Sequence, residues 1–176
     1  MSFARVRALV VVGLLAVVAL VFVVVAIVKD SQRGAGANGG CPEGWPLADV
    51  ALRERKDVKL NVLNATDRPG LAREVADEFR NRQFQVKKVA DEKKQIDRVA
   101  VLRYGPKGVG SAHLLRAYFL DNAHQDFDAE RDDDTVDVVL GSGFQQLATT
   151  TEVNQSLGDL GAPRAPDGTC PMPVDR

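Results

Sequence analysis

Cysteine is scarce in this chain. Of 176 residues, only Cys41 and Cys170 are cysteines, and there are two histidines and one tryptophan. Two cysteines and two distant histidines, His113 and His124, lack the spacing of zinc ligands, so no metal centre is expected. Charge of one sign is also lacking: 23 Lys and Arg stand against 24 Asp and Glu, a net charge of −1. That balance argues against a basic face for nucleic acid, and an aromatic content of 6% offers little for stacking on bases. A P-loop ending of Gly-Lys-Ser/Thr is missing, as are a nucleophile elbow and a paired-carboxylate signature. Ser111 and His113 are two residues apart near the start of a helical pattern, so their side chains point to different faces. Neither a catalytic residue nor a cofactor is expected. Asp128, Glu130, Asp132 and Asp134 alternate as in a calcium loop, but the sixth position lacks Gly and the twelfth is Val139. The segment reads as a solvated acidic loop. Asn64-Ala65-Thr66 matches a glycosylation sequon and reads as a capped turn.

What the chain does have is one long apolar run. Ala8 to Val28 contains no charge and is built almost entirely from Val, Leu, Ala, Ile and Phe. At the helical rise it would extend about 32 Å, enough to cross a bilayer core. Arg5 and Arg7 precede it, whereas Lys29 and Arg33 follow it beside Asp30. The basic excess is therefore N-terminal, and residues 1–7 are expected in the cytoplasm with the remainder outside. The run ends Ala26-Ile27-Val28-Lys29-Asp30 without a small-x-small site, so it reads as an uncleaved signal anchor rather than a cleaved signal. An even cysteine count in an oxidising compartment suggests a Cys41–Cys170 disulfide. Two unpaired thiols are the alternative.

Residues 29–56 read as a stem. Ser31 to Gly40 is rich in small residues, Cys41 to Pro46 is turn-rich and carries Trp45, and Leu47 to Arg55 has a weak helical pattern. Trp45 is expected to plug the open side of the domain beside the disulfide. The folded unit is expected over residues 57–147. Val58, Leu60 and Val62 alternate with polar residues as in a half-buried strand. Leu71, Val75 and Phe79, with Ala72 and Ala76, form one stripe of a helix that Thr66 or Asp67 can cap. Phe84 to Val86 reads as a second strand, and Val99 to Tyr104 as a third, central one. Leu114, Leu115, Tyr118 and Phe119 mark a second helix. Asn122 to Asp134 reads as loop, Val136 to Leu140 as the fourth strand, and Gly143 to Leu147 as a turn of helix. The order β-α-β-β-α-β predicts a mixed α/β (α+β) fold, a ferredoxin-like two-layer sandwich behind an N-terminal transmembrane helix. Another α/β arrangement of the same elements is the alternative. Residues 148–176, rich in Thr, Gly and Pro, read as an irregular tail.

Val58-Lys59-Leu60-Asn61-Val62-Leu63-Asn64-Ala65-Thr66, Gly70-Leu71-Ala72 with Val75-Ala76, Phe84-Gln85-Val86, Val101-Leu102-Arg103-Tyr104-Gly105 and Val138-Val139-Leu140-Gly141 together resemble the LytR C-terminal domain family. The resemblance covers roughly Asp57 to Leu147. It implies a domain outside the cell, of the kind found behind catalytic LytR-CpsA-Psr domains or alone behind a membrane anchor in actinobacteria. This chain is similar to the second arrangement and has no room for the catalytic domain. The chain departs from the family at Ala65, where Gly is usual, and at Gly143, where Asp is common. A domain outside the membrane cannot contact DNA. The resemblance implies instead a non-catalytic envelope protein that scaffolds wall assembly, with LytR-CpsA-Psr ligases or wall polymers as partners.

The first and third strands are expected to be parallel neighbours, with the loops after them sharing one edge of the sheet. Each loop feeds a helix N-terminus, whose free N–H groups favour anions. Asn64 and Thr66 in one loop and Arg103, Lys107, Gly108, Gly110 and Ser111 at the other form a candidate site for a phosphate or carboxylate of an envelope glycan or lipid-linked precursor. Tight turns made by Gly and Asn are the alternative reading of the same residues.

Overall fold

The computed structural model describes residues 12–24 and 41–173. The chain divides into two units, Met1–Cys41 and Pro42–Arg176. In the first, residues 12–24 are helical. The span expected at residues 8–28 runs beyond the described residues at both ends. No helix among the described residues is long and apolar enough to cross a membrane.

Among its described residues the second unit holds seven strands and three α-helices. The strands are β1 (Leu47–Ala48), β2 (Lys59–Asn64), β3 (Gln85–Asp91), β4 (Ala100–Tyr104), β5 (Ala123–Phe127), β6 (Val136–Leu140) and β7 (Cys170–Pro171). The helices are α1 (Leu71–Asn81), α2 (Val109–Tyr118) and α3 (Thr150–Leu160). Five strands form one sheet in the order β3-β2-β6-β4-β5, and β1 and β7 pair separately. The mixed α/β class holds, but the ferredoxin-like order does not. The first and third predicted strands, β2 and β4, are not neighbours: β6 lies between them, parallel to β2 and antiparallel to β4. The composition of β6 explains this. Val136, Val138, Val139 and Leu140 are fully buried, and a strand that is apolar on both faces belongs at the centre of a sheet.

β2-α1-β3 and β4-α2-β5 are two strand–helix–strand units with parallel neighbouring strands. Such crossovers are right-handed almost without exception. The units run antiparallel to each other and step outward in opposite directions, which puts both helices on one face. The core lies there: Leu60, Val62, Leu102, Val136, Val138 and Leu140 pack with Val75, Phe79, Leu115 and Tyr118. The predicted α1 stripe is buried as expected, from Leu71 through Phe79. Phe79, Phe84 and Tyr118 form an aromatic cluster with centroids 5.1 to 5.9 Å apart, each pair worth about 0.5–1.5 kcal/mol beyond its buried area.

Four segments differ from the sequence reading. The expected loop 122–134 contains β5, an edge strand whose three central residues are exposed, so no apolar alternation announces it. The expected tail 148–176 contains α3 and β7. Residues 47–54 form β1 and an irregular stretch rather than a helix, followed by a 3-10 turn at Arg55–Asp57. Residues 144–147 are not helical. Both cysteines are disulfide-bonded and none is free, so Cys41 pairs with Cys170.

Both crossover helices end in a Schellman turn. Asp121 donates to the Arg116 carbonyl at 3.1 Å and Leu120 to that of Ala117 at 3.1 Å. Phe84 donates to Phe79 at 3.0 Å and Gln83 to Arg80 at 2.9 Å. At the position after the helix cap the left-handed residues are Leu120, at φ 50°, and Gln83, at φ 73°; Asp121, which follows Leu120, is left-handed too, at φ 62°. Glycine is the usual occupant of that position, because a Cβ costs roughly 1–2 kcal/mol there. Leu120→Gly and Gln83→Gly should each raise the unfolding free energy by about 1 kcal/mol in urea titrations.

His113 is buried on α2, and its Nε2–H donates to the Gly161 carbonyl at 2.9 Å, tying α2 to the end of α3. Burial pushes its pKa below the ordinary value, outweighing the opposing pull of the Gly161 bond. A group depressed in the fold binds its proton first in the unfolded chain. Its stabilising contribution is therefore full above about pH 6.5 and is lost as pH falls through the lower folded value. Urea unfolding should show declining stability below about pH 6.5, and His113→Gln should flatten that part of the profile.

Candidate functional site

The residues expected to share one edge are divided between opposite ends of the sheet, because β2 and β4 run in opposite directions. Asn64 and Thr66 sit at the end of β2. Asn64 is buried; its Oδ1 accepts from the Thr66 hydroxyl at 2.7 Å and the Thr66 amide at 3.2 Å. Its Nδ2 donates to the Arg68 carbonyl at 3.0 Å and to Asp91 Oδ1 at 3.4 Å. The Arg68 amide in turn donates to Thr66 Oγ1 at 3.1 Å. These side chains build the turn into α1. The α1 N-cap is Gly70 at φ 83°, without a side-chain cap, so neither Thr66 nor Asp67 caps the helix. Ala65 has no positive φ, and the turn therefore does not require glycine there.

At the other end, Gly105, Lys107, Gly108, Gly110 and Ser111 surround the start of α2. Where an anion cradle is expected, other parts of the chain's own backbone approach Gly105 and Gly110. Gly110 donates its amide to the Asp49 carbonyl at 2.9 Å, and Asp49 donates to the Pro106 carbonyl at 2.9 Å. A Cβ on Gly110 would collide with the Ala51 carbonyl, and one on Gly105 with that of Arg131. The glycines here admit neighbouring backbone. Gly108 donates to the Gly105 carbonyl at 2.9 Å, Ser111 is buried, and Lys107 pairs with Asp132 at 2.7 Å in the acidic loop.

Arg103 lies on the face of the sheet opposite α1 and α2. The strand registers align Lys88, Asn61, Asp137, Arg103 and Asp126 in one row across all five strands. Arg103 donates to Glu92 at 2.8 Å and lies 3.6 Å from Asp126. That hydrogen bond holds the Glu92 carboxyl below its usual range. Asn61 donates to Asp137 at 2.7 Å, and Arg131 donates to the same carboxylate at 2.8 Å. The next row, Ala90, Leu63, Val139, Val101 and His124, is apolar except at its end; Ile96 and Ala65 pack against it. This face therefore presents a polar band with exposed ends at Lys88 and Asp126. Register produces it, and register is what the sequence alone did not supply.

Ser111 and His113 are both buried, and His113 is committed to Gly161. The described residues hold no group of three or more His, Cys, Asp or Glu side chains able to bind a metal. Trp45 is 46% exposed, so it is not the buried plug expected. The missed helix α3 did have a signal. Thr149 and Glu152 form a capping box, the Thr-x-x-Glu pattern that starts helices, and Val153, Leu157 and Leu160 follow at helical spacing.

Residues 57–144 match the family described as LytR cell envelope-related transcriptional attenuator. Over 118 residues the chain is 28% identical to the cell envelope integrity protein Cei of Mycobacterium tuberculosis, an alignment covering 65% of this chain and 54% of Cei. The chain thus spans about half the length of that curated relative. It is also similar to the crystal structure of the soluble domain of a conserved hypothetical secreted protein from Mycobacterium marinum. The TM-score is 0.52 at 27% identity, covering 71% of this chain and 84% of the other. The matched segment begins just before β2 and ends just after β6, enclosing the whole five-stranded sheet and its two crossover helices, and the chain belongs to the LytR C-terminal domain family of cell-envelope-related proteins.

Proposed function

We propose that this chain is a non-catalytic, single-pass envelope protein. Its N-terminus is in the cytoplasm, its folded domain lies outside, and it works as an interaction module beside the machinery that assembles wall polymers. The observation that carries the reading is the Cys41–Cys170 disulfide, because such bonds persist in oxidising compartments. The uncharged run from Ala8 to Val28 supports the membrane tether. The envelope family and the names of the two mycobacterial relatives support the setting.

The interaction surface in this reading is the polar band from Lys88 to Asp126. Its charges alternate across the sheet, and such a surface selects a partner by electrostatic complementarity and register more than by buried apolar area. The partner proposed is a protein of wall assembly, with LytR-CpsA-Psr ligases the first candidates. The second reading, binding of an anionic glycan or lipid-linked phosphate at Asn64, Thr66, Arg103, Lys107, Gly108, Gly110 and Ser111, has less support, since the α2 start is packed against residues 49–51.

Photo-crosslinking in living cells tests the choice. A crosslinker at Lys88 or Asp126 should capture a wall-assembly protein, and one at exposed Arg73 on α1 should not. Capture of wall polymer from the band would replace the protein-docking reading with a polymer-binding one. A pattern from the band identical to that from Arg73 would contradict both.

A further inference from the structure

Beyond α3 the chain runs as a strap from Gly161 to Thr169 beside α2 and the β4–β5 edge. Between them lies a cleft of about 520 Å³, within the size range of small-ligand sites. Its surfaces are fixed independently of one another. His113 holds the strap at Gly161 at 2.9 Å. The Tyr104 hydroxyl donates to Gln125 Oε1 at 2.8 Å, which sets the sheet side. The Thr169 amide and hydroxyl donate to the Pro166 carbonyl at 3.1 and 2.7 Å, closing the far end of the strap. The frame of the cleft is therefore held before a ligand enters, and what a ligand has to order is the exposed Arg164 side chain.

Its charges come from three side chains. Arg116 donates through Nε and Nη2 to a single oxygen of Asp121, at 2.9 and 2.6 Å. Its Nη1 has no hydrogen bond among the described residues. Arg164, on the strap, has neither an ion pair nor a hydrogen bond among the described residues, and the same holds for Asp167. One guanidinium from the helix and one from the strap therefore line the same cleft with donors to spare, beside apolar surface from Val109 and Leu160. Guanidinium donors form short, strong bonds to carboxylate and phosphate oxygens.

We infer that this cleft binds a small molecule with a compact, partly apolar body and one anionic group, a carboxylate or a phosphate monoester, held by Arg164 and Arg116. The inference goes beyond the envelope reading and does not rest on it. The site shares no residue with the polar band proposed for partner docking.

The test uses the full chain in lipid nanodiscs, with fluorine NMR of 4-fluorobenzoate, 4-fluorophenyl phosphate and neutral 4-fluorobenzyl alcohol, and empty nanodiscs as the blank. At least one anion should titrate to saturation above the blank while the alcohol does not, and which anion does so separates carboxylate from phosphate recognition. Arg164→Ala, on the exposed strap, should weaken binding about tenfold or more. Arg116→Lys, which keeps the charge but loses the fork, should also weaken it, and Lys88→Ala should leave it unchanged. Failure of both anions to saturate by roughly 10 mM would overturn the inference. So would equal binding of the neutral alcohol, or an Arg164→Ala protein that binds as tightly as the wild type. Any of these results leaves the envelope reading standing.

Discussion

The arrangement of the domain depends on how the segment around β1 seats against the start of α2. The Asp49 carbonyl takes the Gly110 amide, the Pro106 carbonyl takes the Asp49 amide, and Gly110 has no Cβ to obstruct the Ala51 carbonyl. The same segment carries residues 170–172: Cys170 donates to the Pro46 carbonyl at 3.0 Å and Met172 to that of Ala48 at 2.8 Å. Residues before and after the family-matched region are thus hydrogen-bonded to each other, and the early segment to a helix inside it. The result is an α2 with nine of its ten residues buried, enclosed by the sheet, by α3 and by the chain leading into β2. The Cys41–Cys170 disulfide adds a covalent closure to this association. For a loop of about 130 residues, chain entropy assigns such a bond roughly 4–5 kcal/mol.

This constraint gives the glycine-rich run before α2 its meaning. Phosphate loops use glycine so that a ligand can approach the backbone. Here Gly105 and Gly110 admit other parts of the same chain, and the N–H that a ligand would have sought at Gly110 is taken by Asp49. A helix start rich in glycine and free of acidic residues fits both uses. What separates them is a contact with residues some sixty positions earlier in the chain, which local spacing does not encode.

Elements whose burial follows one local period were legible in the sequence. The α1 stripe, the alternation of β2 and the apolar β6 are all where the pattern put them. Those set by long-range packing were not. β5 is polar because it is an edge strand, so its sequence resembles a loop. The strand order turned on whether β6 stood outside β2 or between β2 and β4, and its apolar residues on both faces, Val139 on one and Val136, Val138 and Leu140 on the other, fit the centre. α3 was hidden among Thr, Gly and Pro although its Thr149–Glu152 capping box was readable. Of the candidate site residues, Arg103 alone joins the polar band. That band exists because five strands align one polar position each, and their order and register are tertiary facts. The split between a face covered by helices and an open face with charges in register is what makes docking on the open side physically reasonable.

The central claim is that the disulfide closes the domain on the outer side of the membrane. Labelling of intact cells with a membrane-impermeant maleimide, before and after an impermeant phosphine reductant, tests it most directly. The account predicts no labelling of Cys41 or Cys170 at first and labelling of both once the reductant is added, without lysis. Labelling that needs no reductant would contradict the disulfide, and labelling obtained only after lysis would contradict the placement.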